Sequence, residues 1–244
     1  MFLATVQMTS VEQIDTSDIT EQLSRFEDLG GVIDFKFFKV SGTNSDLEGH
    51  LLTAQRTLEM LGQDNDNYFN KLAQSLGTNR NAYFKVSANQ ILADTGTQIT
   101  PEQFFGPYFN FKEARPILLG KTGKPFQGVT AFIDHYYYDN VENNDNIVIV
   151  HHNNNDYKTQ GYTDAFLSPP HYFAGNMTNL EIGKLFLEFN QFLFDDINKI
   201  TVYSWPTDCS NYFEAGKEWW GSFFWTVHNP IKDWHIGIAA STTD

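Results

Sequence analysis

The sequence predicts an α+β fold, in which helices pack on a mainly antiparallel sheet; a mixed sheet is the alternative. Two observations lead to this prediction. Helical and strand-like segments do not follow the regular βαβ order of parallel sheets, and several strand-like segments come in pairs suited to hairpins. The last of these pairs is rich in aromatic residues, so an aromatic C-terminal hairpin is expected. No segment repeats at a fixed period.

The first third of the chain predicts helices around one clear strand. Residues 17–30 carry apolar side chains at helical spacing and end in glycine. Residues 32–40 alternate apolar and charged side chains, as a half-buried strand does. Residues 83–92 form a weaker strand pattern, and the Thr-Pro-Glu sequence at 100–102 predicts a helix start.

A helical hairpin is predicted between these strands. Ser45 and Glu48 form a capping-box pattern, and apolar residues at helical spacing follow it to Gly62. A second short helix is predicted over residues 68–76.

The middle of the chain predicts a boundary between two halves. Three of the eight prolines lie within residues 106–127, a segment without clear periodicity. We therefore expect an N-terminal α+β half at 1–112 and a C-terminal α+β half at 126–244, with 113–125 as the seam. One continuous domain is the alternative.

The C-terminal half predicts two hairpins and one strongly amphipathic helix. Residues 129–138 and 146–152 form the first hairpin, and residues 157–173 are interpreted as a loop. A broad apolar stripe marks the helix at 178–197. The remaining predictions are strands at 200–205, 218–227 and 234–240, and a helical turn at 210–216.

The net charge and the absence of a long apolar run argue against several classes of partner. The 244 residues include 16 basic and 30 acidic side chains, a formal charge of −14, which would repel a phosphate backbone or an anionic membrane. No apolar run is long enough to cross a bilayer, and residues 1–10 lack the pattern of a secretory signal. We expect a cytoplasmic protein that binds neither nucleic acid nor membranes; the oligomeric state is left open.

Familiar cofactor and nucleotide motifs are absent from the sequence. Gly120-Lys121-Thr122 ends like a Walker A loop, but Arg115 stands where the first glycine would be. We therefore predict no cofactor. Cys209, the only cysteine, is expected to be a small buried residue and not a nucleophile.

One group of residues could bind a metal ion. Asp134, His135, His151 and His152 would lie on adjacent strands of the first predicted hairpin, and imidazole and carboxylate suit zinc or iron. However, neighbouring strand residues point to opposite faces, so only one of the paired histidines could join His135. We predict no tightly bound metal.

Two carboxylates suggest a catalytic site. Glu214 and Glu218 would share one helix face beside Trp219 and Trp220, and paired carboxylates next to aromatic rings are used in glycoside hydrolysis. The alternative is a solvated face on which they accompany Lys217.

The aromatic segment at 219–225 either belongs to the hydrophobic core or forms a binding patch on the surface. As a strand it would be apolar on both faces, which favours a central strand covered on both sides. The alternative is a ligand or partner patch with Gly221 as a gap. The candidate patch residues are Trp219, Trp220, Phe223, Trp225 and Trp234.

These observations favour a non-catalytic binding protein, of the inhibitor or immunity type, whose acidic surface engages a basic protein. The alternative is an enzyme acting on a small neutral or carbohydrate-like ligand through Glu214 or Glu218. A buried carboxylate in an aromatic cleft would favour the enzyme, whereas a contiguous acidic face would favour the binding protein.

Overall fold

A computed structural model describes residues 9–43, 45–89, 91, 93–106, 109–112, 114–116, 161–167, 169, 179–217 and 221–241. Its strands are β1 (Ser10–Gln13), β2 (Ile33–Ser41), β3 (Thr97–Ile99), β4 (Phe109–Asn110), β5 (Arg115–Pro116), β6 (Thr201–Ser204), β7 (Phe223–Asn229) and β8 (Trp234–Ala240). Its α-helices are α1 (Ser17–Asp28), α2 (Asp46–Leu76), α3 (Pro101–Phe105), α4 (Gly161–Leu167), α5 (Asn179–Phe194) and α6 (Glu214–Lys217). Short 3₁₀ turns lie at Arg80–Ala82, Ala93–Thr95, Thr207–Cys209 and Asn211–Phe213.

Six of the strands form one antiparallel sheet in the order β1-β2-β8-β7-β6-β3, which confirms the predicted α+β class. The aromatic-rich hairpin β7–β8 lies at its centre, with Trp225 opposite Ile238. Strand β2 pairs with β8, so early and late parts of the chain share the sheet. The division at 113–125 stays a prediction.

One face of the sheet is covered by a phenylalanine-rich core. Strand β2 contributes Ile33, Phe35 and Phe37 to it, because alternate residues of a strand point to the same side. Four helices supply the opposing layer. Their buried side chains include Ile19 and Phe26 of α1, Phe104 and Phe105 of α3, Tyr162 and Phe166 of α4, and Phe186, Phe189 and Leu193 of α5.

Helix α2 covers the other face of the sheet. Its Leu58 and Leu61 pack in a second cluster with Phe213 and Phe224. Because Phe224 lies in this cluster and its neighbour Trp225 in the first, β7 is buried on both faces, as expected for a central strand.

The predicted helical hairpin is wrong. Residues 46–76 form one helix, which begins after Ser45, whose side chain accepts a hydrogen bond from the Glu48 amide. Gly62 does not end the helix, because a glycine lowers helix stability by only about 1 kcal/mol. Gly77, in the left-handed conformation at φ 65°, is the residue that ends it.

Two other segments differ from expectation. Residues 161–167, predicted as loop, form α4, whose residues from Tyr162 to Leu167 are all buried; a helix buried all round shows no amphipathic period. Residues 83–92 form no extended strand in the described part of the chain. Ala88 makes an isolated bridge with Ser210 instead. The predicted hairpin at 129–138 and 146–152 lies outside the described residues.

Candidate functional site

Exposed acidic residues lie along α1 and in the residues before it. The helix buries Ile19 and Phe26 in the core, and its amphipathic pattern leaves the polar side chains in water. Six exposed carboxylates define what we call the acidic surface: Glu12, Asp15, Asp18, Glu21, Glu27 and Asp28.

Few cations lie beside this acidic surface: Arg25 of α1, and Lys39 of β2, which is the cross-strand partner of Glu12. Arg25 is the only basic residue between positions 9 and 28. Its guanidinium lies 3.1 Å from a carboxylate oxygen of Glu188 on α5, so this cation is already shared with an acid outside the surface. The negative charge of α1 therefore faces solvent.

More carboxylates gather at the C-terminal end of the acidic surface. Glu27 is exposed only in part, and its partial burial, followed by the nearby Asp34 carboxylate, raises its pKa. Lys36 lies among these acids, with its Nζ 2.8 Å from Asp64 and 3.5 Å from Asp34. Although burial by itself lowers the pKa of Lys36, the two carboxylates raise it above its usual value. Lys36 is thus held as a cation among several acids.

Glu214 does not occupy a cleft. Its side chain is 63% exposed, and its Oε1 accepts a hydrogen bond from Lys217 Nζ at 2.8 Å. Lys217 also contacts Asp208 at 2.6 Å. This exposed ion-pair network fits the solvated-face interpretation, and Glu218 lies outside the described residues.

The described members of the aromatic patch face the phenylalanine-rich core. Trp225 is 5% exposed and stacks on Phe223, with ring centroids 5.0 Å apart. Trp234 is partly exposed at the sheet margin, where its ring lies 4.6 Å from the Lys232 ammonium. Trp219 and Trp220 lie outside the described residues. A partner patch at this position stays a prediction.

The proposed metal ligands Asp134, His135, His151 and His152 also lie outside the described residues. Within the ranges that the structure does describe, no three His, Cys, Asp or Glu side chains are grouped to hold a metal ion. Burial raises the pKa of the Cys209 thiol to about 11, so this thiol stays protonated at neutral pH.

A stack of three histidines between α2 and the sheet was not foreseen from the sequence. His228 and His235 are cross-strand partners, with parallel rings whose centroids are 4.2 Å apart. The His50 ring of α2 meets this stacked pair edge-on, with its centroid 5.7 Å from that of His235 and the two ring planes 66° apart. The predicted β7–β8 hairpin could have placed His228 opposite His235, but no local pattern brings His50 to them.

Hydroxyl groups hold the deepest histidine of this stack. Nδ1 of His50 shares a hydrogen bond with the Thr226 hydroxyl at 2.8 Å, and Nε2 shares one with the Thr201 hydroxyl at 3.2 Å. The indole N–H of Trp205 also donates to Thr226. Within the described part of the chain, Nδ1 of His235 has no hydrogen-bond partner.

Burial keeps the histidine stack uncharged. Desolvation, and then the neighbouring imidazoles, lower the pKa of His50 to about 3. Desolvation, followed by the effect of His228, lowers the pKa of His235 to about 4. Burial also lowers the pKa of His228, which lies partly exposed at the outer end of the stack. All three rings are therefore neutral at pH 7.

Comparisons with family models, curated proteins and solved structures found no match to this chain. None of the described helices is both long enough and apolar enough to span a bilayer.

Proposed function

We propose that this protein is a non-catalytic binding protein whose acidic surface engages a basic protein partner. The observation that carries the proposal is the arrangement of six exposed carboxylates along residues 12–28, where the single cation, Arg25, is already paired with Glu188. A partner's lysine and arginine side chains would supply the missing positive charge.

The raised pKa of Glu27 supports the same proposal. Part of this shift comes from the neighbouring carboxylates, so their mutual repulsion persists in the free protein. A cation placed near Glu27, Asp28 and Asp34 would relieve that repulsion. A cation from a basic partner should therefore offset the part of the shift in the pKa of Glu27 that these carboxylates cause, in the same direction as Lys36 already does.

The alternative enzyme receives no support from the described residues. Glu214 is exposed and ion-paired with Lys217, whereas a general acid or base requires a partly desolvated carboxyl group in a pocket. The histidine stack is neutral and packed between α2 and the sheet.

Partner capture with matched charge variants tests the proposed function. The test variant combines Glu12→Gln, Glu21→Gln and Asp28→Asn, which neutralise exposed positions on the acidic surface. Basic proteins captured from a lysate of the native source by the wild type at about 0.1 M salt should be lost with this variant. They should also be lost near 1 M salt, where the Debye length falls to about 3 Å.

A control variant separates local from overall charge. Asp94→Asn, Glu102→Gln and Asp233→Asn change three exposed acids elsewhere and alter the net charge equally. This control should retain the partners. Equal capture by the test and control variants would show that the acids serve solubility alone, and the proposal would fail.

A further inference from the structure

Helix α2 extends beyond the sheet that covers its first half. In that half, His50, Thr53 and Thr57 are fully buried against the sheet. Residues three, four or seven positions apart lie on the same face of a helix. Counted on from Thr57, these spacings give positions 64, 68, 71 and 75. The side chains that continue this face are exposed: Asp64, Tyr68, Lys71 and Ser75. We call these four residues the α2 stripe.

The exposure of the α2 stripe does not come from a frayed helix end. The opposite side of the helix is fixed by the chain that follows it, because Arg80 donates to Asp66 at 2.5 Å and to Asn65 at 3.3 Å. The rings of Phe69 and Tyr83 also stack at 5.2 Å. Tyr68 is nevertheless 63% exposed on this anchored helix. Tyrosine is one of the residue types enriched in protein interfaces and among their anchor residues.

The α2 stripe carries two opposite charges, one on each side of Tyr68. Asp64 lies at one end, where its carboxylate is 56% exposed and contacts Lys36. Lys71 lies on the other side of Tyr68, in a segment from 67 to 93 that contains no acidic residue. Lys71 therefore lacks an acid three or four residues away on its own helix, the spacing of helical ion pairs. The two charges are seven positions apart on the helix, and Tyr68 lies between them.

We propose that the α2 stripe is the interface of a symmetric dimer in which two copies of α2 pack antiparallel. An antiparallel arrangement that places Asp64 opposite the partner's Lys71 also places Lys71 opposite the partner's Asp64. The two-fold axis then passes between positions 67 and 68, so the two Tyr68 rings meet at the centre. A second copy gives each Lys71 an acid and adds a second cation beside each Asp64, which already contacts Lys36. A single surface makes both contacts, which is the property of a closed two-fold interface.

The size of the α2 stripe predicts a weak dimer. The helix from Asp64 to Leu76 has a length of about 20 Å, at 1.5 Å per residue. One such helix pair forms an interface at the low end of stable protein contacts. Dimerisation should therefore depend on protein concentration. The six carboxylates of the acidic surface lie outside the α2 stripe, and Lys71→Glu leaves all six unchanged, so this proposal and the proposed function can fail separately.

Charge reversal tests the register of the two helices. Lys71→Glu places two acids opposite each other at both contacts, and Asp64→Lys places two cations there. Each variant alone should raise the dimer dissociation constant about tenfold or more in sedimentation velocity experiments. A mixture of the two variants should form a heterodimer, because both of its contacts again join opposite charges. Lys39→Glu, at an exposed lysine on β2, is the control and should leave dimerisation unchanged.

Asp64→Lys also removes the ion pair with Lys36 and could disturb the fold. A distance measured between spin labels in the two copies tests the dimer without that substitution. Gln74→Cys introduces a spin label on exposed helix surface, and native Cys209 is buried. In the proposed dimer, the two labelled positions are offset by 13 residues, which corresponds to about 20 Å along the helix axes. A wild type that stays monomeric at all concentrations, a Lys71→Glu variant that dimerises as well as the wild type, or labels more than about 40 Å apart would each overturn the proposal.

Discussion

Phe189 shows how single residues connect the layers of the first core. Its ring is fully buried, and ring centroids lie 5.3 Å away in Phe26, 5.2 Å in Phe35 and 5.5 Å in Phe166. These neighbours belong to α1, β2 and α4, so one side chain on α5 contacts three other elements. Edge-to-face and tilted aromatic pairs add specific contacts to the buried area.

Phe189→Ala should therefore destabilise the protein strongly. Truncation of a buried aromatic ring lowers the free energy of unfolding by about 3 to 5 kcal/mol, which urea denaturation can measure. Leu187→Ala, on the same helix but at a side chain that is 40% exposed, should change it by about 0.5 kcal/mol or less. An unchanged thermal midpoint for Phe189→Ala would mean that α5 does not form the buried layer.

The histidine stack predicts a stability that falls in acid. In the folded protein His50 protonates at about pH 3 and His235 at about pH 4, whereas unfolded histidine protonates near pH 6.5. Between these values the unfolded state binds more protons, so stability rises with pH in this window and is lost as pH falls from about 6.5. Each such histidine contributes up to about 1.4 kcal/mol per pH unit.

The substitution His50→Gln measures how much the protonation of His50 contributes to the loss of stability in acid. The variant loses one titrating group, and the carboxylates that also titrate in acid remain. Its free energy of unfolding should therefore change less than that of the wild type between pH 6.5 and 4.5, in parallel denaturation curves. The comparison is of slopes, because loss of the hydrogen bonds to Thr201 and Thr226 lowers stability at every pH. Identical slopes would contradict the buried, neutral assignment of His50.

At the scale of elements, the spacing between α2 and the sheet depends on a glycine. A Cβ atom at Gly237 of β8 would lie 1.8 Å from Oγ1 of Thr57, a distance that no packed side chain allows. Gly237→Ala should therefore force α2 away from the sheet and destabilise the protein by about 1 to 3 kcal/mol. Thr57→Ala in the same chain should restore part of that loss. Full stability of Gly237→Ala would show that α2 does not approach β8 this closely.

Gly62 supplies the opposite control on the same helix. A Cβ atom there would meet nothing within 4 Å, and Gly62 lies inside α2. Gly62→Ala should therefore stabilise the protein by roughly 0.5 to 1 kcal/mol, since alanine loses less backbone entropy in a helix. A destabilised Gly62→Ala variant would contradict a continuous α2 and revive the predicted hairpin.

Local patterns predicted the elements well where one face is buried and the other is solvated. Alternation in β2 and the Thr100 cap before α3 were visible in the sequence, and both are observed. Hydrophobic periodicity did not predict α4, because this helix is buried on all sides around Tyr162 and Phe166 and so has no alternation of apolar and polar faces. It also failed at Gly62, because only tertiary packing decides whether a glycine interrupts a helix.

At the scale of the whole molecule, the sequence predicted the excess of acid but not its placement. Net charge follows from composition, whereas the exposure of Glu21 and Asp28 on one helix face follows from the burial of Ile19 and Phe26. The approach of Asp34 and Asp64 to Lys36 joins β2 to the middle of α2. Long-range convergence of this kind, like that of His50 with His235, leaves no local pattern.

Attraction between the acidic surface and a basic partner should be visible in the rate at which the two proteins associate. Electrostatic steering makes this rate fall steeply with ionic strength. For a partner recovered by capture, stopped-flow measurement between about 0.05 and 0.5 M salt should show that steep fall in the wild type and in the Asp94→Asn, Glu102→Gln, Asp233→Asn control. The variant with Glu12→Gln, Glu21→Gln and Asp28→Asn should show a clearly shallower dependence. Equal salt dependence in all three proteins, or none in the wild type, would contradict the account.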